Sequence, residues 1–87
     1  MIINSLEKII EMPTLLRELG FKFFFYANEH EPKHIHVAKG DEFAKIELCD
    51  KLKVVKSYMK PKELKKALEI VEEHKDEFTR QWDKYFN

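Results

Sequence analysis

The sequence predicts an α+β fold: an antiparallel β-meander of three to four strands, packed on one face by a C-terminal helix or two helices. Three observations carry this expectation. Five of the six residues 21–26 are aromatic, a composition that strongly favours extended chain. Residues 34–38 and 43–48 alternate in character about a Lys39-Gly40-Asp41-Glu42 turn, as two strands of a hairpin do. Between residues 61 and 86, Leu64, Leu68, Val71, Phe78, Trp82 and Tyr85 recur at gaps of four, three, seven, four and three, the spacing of one helix face.

In chain order, residues 1–12 read as an N-terminal extension. Ser5 is placed to cap a helical turn carrying Leu6, Ile9 and Ile10. Met12-Pro13-Thr14 interrupts it, and residues 13–48 hold the meander. Residues 14–19 fit either a short helix between Pro13 and Gly20 or a strand turning at Gly20, and the strand reading is preferred. Residues 28–33 form a polar loop with Pro32 as its rigid element. Residues 49–60 connect the sheet to the helical segment, with Val54 and Val55 in a short edge strand. Pro61 opens the helical segment 61–86, and Glu63 lies in the favourable first turn. One straight helix of that length would run about 39 Å, long for so small a sheet. A break near residues 74–76 is therefore expected, with Asp76 capping a second helix. His74 flanks the apolar stripe and reads as a core histidine. Trp82, Tyr85 and Phe86 read as core anchors ahead of an interface. The whole, residues 1–87, reads as one domain.

The turns also suggest a register. Centring the second hairpin between Gly40 and Asp41 pairs Val37 with Ala44, His36 with Lys45, Ile35 with Ile46 and His34 with Glu47. Centring the first between His30 and Glu31 pairs Tyr26 with Ile35, Phe25 with His36 and Phe24 with Val37. Alternation then gives a core face of Phe24, Tyr26, Ile35, Val37, Ala44, Ile46 and Leu48. The opposite face would hold Phe21, Phe23, Phe25, Ala27, His34, His36, Lys45 and Glu47.

Composition narrows the functional classes. The chain has 87 residues, with 16 basic and 16 acidic side chains. Only residues 39–60 lean positive, with six basic against four acidic. Nucleic-acid binders generally carry a basic excess, so nucleic acid is a possible but disfavoured partner. The single cysteine, Cys49, excludes an intramolecular disulfide and reads as a small buried hydrophobe in a reducing compartment. No charged-then-apolar leader is visible, and no apolar run approaches the ~18 residues of a membrane span. The expectation is a cytoplasmic protein with no membrane partner. A core this small and rich in Phe makes a homodimer a fair expectation.

Three of the four histidines, His30, His34 and His36, follow the aromatic run. His34 and His36 are two apart on a strand, so both project from one face. The structural reading is that they stack on Phe rings and bond to carboxylates or carbonyls, and so hold the hairpin. A metal-binding or proton-transfer site is the second reading: His30, His34 and His36 as ligands to zinc or another divalent ion, with Glu47 as fourth ligand or orienting carboxylate. The third is a partner-binding face of His30, His34, His36, Phe23, Phe25, Lys45 and Glu47. No phosphate loop, nucleophile elbow or paired-carboxylate site is present, so no catalytic residue is assigned and no cofactor is expected beyond the metal alternative.

The segments MPTLLRELGFKFFFYANEHEPKHIHVAKGDEFAKIEL and PKELKKALEIVEEHKDEFTRQWDKYF resemble the small bacterial domain-of-unknown-function family numbered 4160. The resemblance spans about residues 12–86 and rests on Met12, Pro13 and Thr14, on Phe24 and Tyr26, on His30, Glu31, Pro32, His34, His36 and Val37, on Ala44, Lys45 and Leu64, and on Trp82, Tyr85 and Phe86. Lys33 stands where that family usually has a second proline, which implies a more mobile loop. The resemblance implies no chemistry, but it implies a protein partner encoded nearby, as in toxin–antitoxin-like two-protein modules. The function expected is thus that of a small interaction protein. The alternatives are a metal-dependent hydrolase or nuclease using the three histidines, with Lys45 or Glu47 near the reacting group, and a small nucleic-acid-binding module.

Overall fold

The computed structural model describes residues 14–86; the helical turn expected behind Ser5 lies outside them. Five strands form one antiparallel sheet in the order β1-β2-β3-β4-β5. They are β1 (Leu16–Glu18), β2 (Phe21–Phe24), β3 (His34–Lys39), β4 (Glu42–Glu47) and β5 (Lys53–Ser57). Two helices follow, α1 (Pro61–Glu73) and α2 (Lys75–Phe86). The α+β meander is therefore present, but with five strands rather than three to four. Both ambiguous segments, residues 14–19 and the connector, supply one. No helix among the described residues is long and apolar enough to cross a membrane.

Two tight turns set the ends of the sheet. Leu19 and Gly20 join β1 to β2 with φ of 53° and 85°, the left-handed pair that matches strand twist in a two-residue hairpin. Gly40 has φ 60° between β3 and β4, where no Cβ is needed and none would clash. β3 pairs with β4 as the sequence suggests, with His34 opposite Glu47, Ile35 opposite Ile46, His36 opposite Lys45 and Val37 opposite Ala44.

The first long hairpin differs from expectation by one residue. Phe23 lies opposite Val37 and Phe24 opposite His36. Because side chains alternate, this slip moves every aromatic of β2 to the other face. Phe21, Phe23 and Phe25 join Ile35, Val37, Ala44, Ile46 and Leu48 in the core, while Phe24 and Tyr26 lie with His36. The physical reason lies in the loop. The Tyr26 amide donates to the Glu29 carboxylate at 3.0 Å, so a side chain closes the turn and nothing forces it to be symmetric.

The helices cover the core face. Ala67, Ile70 and Val71 of α1 and Phe78 and Trp82 of α2 are buried against it. Phe23 meets Phe78 at 5.7 Å between ring centroids, and Phe25 meets Trp82 edge-on at 5.5 Å. The expected break falls at His74, whose amide still donates to the Ile70 and Val71 carbonyls. α2 begins at Lys75, so Asp76 lies in its first turn and is not the cap. Tyr85 is exposed, unlike Trp82. Cys49 is exposed rather than buried, because β4 ends at Glu47 and Leu48 takes the last inward position.

Leu19 is 64% exposed and holds a φ that costs a branched side chain roughly 1 kcal/mol. Leu19→Asn should therefore stabilise the fold by about 1 kcal/mol and raise the melting temperature by about 4–8 °C. Thermal unfolding followed by circular dichroism checks this, and an unchanged or lowered midpoint refutes it.

Candidate functional site

Among the described residues, a buried polar group lies at the start of β3. His34 and His36 project together, with ring centroids 5.1 Å apart, and both are buried. Their Nε2 atoms converge on one carboxylate: His34 Nε2 is 2.8 Å from Glu29 Oε1, and His36 Nε2 is 2.7 Å from Glu29 Oε2. Glu29 reaches them from the loop between β2 and β3, and its Oε2 also accepts the Tyr26 amide. The Glu29 side chain is only 9% exposed.

Glu29 is the residue that sequence reasoning missed. The three-histidine reading placed His30 at this position, but His30 is exposed and outside the cluster. Glu47, expected as fourth ligand or orienting carboxylate, lies opposite His34 across β3 and β4 but outside the group. The available signal was the adjacent carboxylate: residues 29 and 30 compete for one place in a turning loop, and two imidazoles demand an acceptor. An imidazole in the place of the Glu29 carboxylate would face two others with too few acceptors among them.

The electrostatics follow from the bonds. Burial alone would raise the Glu29 carboxyl. The hydrogen bonds from His34, His36 and the Tyr26 amide outweigh it and hold the group far below the usual carboxylate range. His34 Nδ1 donates to the Pro32 carbonyl at 2.7 Å. Both ring nitrogens of His34 are thus engaged, one by the Pro32 carbonyl and the other by Glu29. His36 Nδ1 is buried without a partner among the described residues, so its hydrogen sits on Nε2.

Packing fixes the rings. Phe24 of β2 and Phe43 of β4 stack against His36 at 5.6 and 5.7 Å, and Tyr26 meets it edge-on at 4.5 Å. His34 lies 4.8 Å from Trp82, which ties the cluster to α2. Lys33, at the position of the expected proline, pairs with Asp83 of α2 at 2.8 Å. The loop is thus held to the helix by charge where a proline ring would have stiffened it. Asp83 holds the Lys33 ammonium on the protonated side of its ordinary range.

The predicted partner face is divided. Phe23 and Phe25 are fully buried beneath the helices, on the opposite side of the sheet from His36. Lys45 and Glu47 stay half-buried on the histidine side, next to His36 and His34 in register. His74 is remote from the cluster and lies 3.4 Å from Glu18 Oε1.

Fold and site together define a small α+β domain, a five-stranded meander under two helices with a carboxylate and two imidazoles locked at one end of the central strand. The family described as Domain of unknown function (DUF4160) matches residues 20–83, and the chain belongs to it. The match runs from the β1–β2 turn to Asp83, so it contains every residue of the Glu29 cluster. No curated protein and no solved structure matches the chain.

Because Glu29 satisfies three buried donors, Glu29→Gln should cost about 3–5 kcal/mol at pH 7, the cost of breaking a buried pair. A group whose folded pKa is depressed contributes stability above its unfolded pKa, about 4.3 for Glu, and loses it as pH falls. The stability gap between wild type and Glu29→Gln should therefore narrow progressively below about pH 5. Urea denaturation at pH 7 and pH 3.5 measures it, with His30→Ala as a control that should show no gap at either pH.

Proposed function

We propose that the protein is a small interaction module that receives an extended acidic segment of a partner protein along the free edge of β5. The carrying observation is the chemistry of that edge. Among the described residues β5 pairs only with β4, and Val54, Val55 and Tyr58 are exposed. Residues 51–60 carry four lysines and no acidic side chain, and Lys51, Lys53, Lys56 and Lys60 are all exposed.

Three features support an acidic strand as the occupant. Lys45 and Lys56 lie directly opposite each other, a like-charged pair that costs stability and that a carboxylate partner would relieve. Lysines along an edge repel a second copy of the same edge, so the arrangement discriminates between self-pairing and an oppositely charged strand. The free backbone groups and two exposed valines suit strand addition, in which main-chain bonds supply affinity and side chains supply specificity. Nucleic acid is less well served, because Tyr58 is the one exposed aromatic on this edge and stacking platforms need several. A two-protein module of toxin–antitoxin type, suggested by the family resemblance, fits this division of labour, with the partner supplying the strand.

Fluorescence anisotropy with a labelled peptide of alternating Glu and Val tests the reading. Binding should weaken as salt rises and fall at least tenfold in the Lys53→Glu/Lys56→Glu variant, both positions being exposed. Unchanged peptide binding in that variant overturns the proposal. So does tighter binding of an equally long oligothymidine, the outcome expected of a nucleic-acid module.

A further inference from the structure

Independently of the β5 edge, the geometry points to a second property: Glu29, His34 and His36 form a binding site for one divalent transition-metal ion of the zinc or cobalt type. A carboxylate oxygen and two imidazole nitrogens, each offered by a different side chain, lie within 4.8 Å of one another. Such a mixed nitrogen and oxygen set suits zinc, cobalt, nickel or iron rather than magnesium or calcium, which take oxygen ligands.

Three further observations carry the inference beyond proximity. The nitrogen–oxygen separations are 2.8 and 2.7 Å. Tetrahedral bonds of about 2.1 Å place ligand atoms about 3.4 Å apart, so each nitrogen–oxygen pair opens by about 0.6 Å to admit the ion, a movement within the reach of side-chain torsions. His34 already has the outer support that metal-bound histidines show, its Nδ1 hydrogen bonded to the Pro32 carbonyl at 2.7 Å. Burial by Phe24, Phe43 and Trp82 keeps both rings in single orientations, which removes most of the ordering cost of binding. With Nε2 given to the ion, the His36 hydrogen moves to Nδ1, which has no partner among the described residues. His36 is therefore the weaker of the two nitrogen ligands.

The set differs from the three-histidine site that the sequence suggests, since Glu29 replaces His30. A second group, Glu18, Glu73 and His74, also brings three ligand atoms together, but its residues are half-buried or exposed, and it serves as the internal control.

The test uses the full chain stripped with chelator and titrated with cobalt(II) and zinc(II). The expected result is saturation at one equivalent in wild type, a visible cobalt spectrum typical of nitrogen and oxygen ligands, and a melting temperature raised by several degrees with zinc. His30→Ala and His74→Ala should retain all three, and His34→Ala should lose them. Wild type alone is decisive where His34→Ala fails to fold: no saturable binding at one equivalent overturns the inference. Binding that His74→Ala abolishes overturns it equally, by placing the ion at the second group.

Discussion

One buried carboxylate organises this structure. Glu29 sits in a loop that would otherwise have few reasons to adopt a single path, and it is met there by two imidazoles and an amide. A carboxylate removed from water is costly unless its lone pairs are filled. Here they are filled by groups from β3 and from the end of the aromatic segment, so the loop closes where all these donors can be reached together. Local order in the loop and pairing of the two strands are then one event, not two.

That closure has a consequence for the core. A turn closed by backbone pairing tends to be symmetric, and symmetry about residues 30 and 31 would have put Phe24 and Tyr26 inward. Closure by the Glu29 side chain shifts the pairing by one residue. The three phenylalanines at 21, 23 and 25 go under the helices, and Phe24 remains to stack on His36. The sheet thus has aromatic packing on both faces near β2. On the helix side the rings supply apolar burial; on the other they hold imidazoles still.

Much of this was legible from the residues, and the failures have physical causes. The β3–β4 register followed from Gly40, because a two-residue turn leaves no freedom. The helix break at His74 followed from length: the sheet is too narrow for one straight rod. Alternation ending at Gly20 points to the strand at Leu16–Glu18 without excluding a short helix. The β2–β3 register was not readable, since it depends on which loop side chain turns inward. For the same reason the sequence points to His30 and not to Glu29: imidazoles are conspicuous in a sequence, whereas an acceptor becomes necessary only once two donors are known to be buried. Cys49 is exposed and not buried because it lies one residue past Leu48 at a strand end, where inward and outward exchange at each step.

The histidine cluster and the β5 edge connect through a single transverse row on one face of the sheet. Phe24, His36, Lys45 and Lys56 lie side by side on successive strands β2 to β5. The row passes from an apolar ring, through an imidazole hydrogen-bonded to a carboxylate, to two cations facing each other. A sheet optimised only for stability would place an acid opposite one of those lysines, as it does with Glu47 opposite Lys53 one step along. Retaining the Lys45–Lys56 pair keeps positive charge unneutralised at the edge, while the rigid cluster at the other end of the row fixes the strands that carry it. Rigidity where the chain is locked and uncompensated charge where it is open are the two conditions under which an edge strand can discriminate among partners instead of pairing indiscriminately.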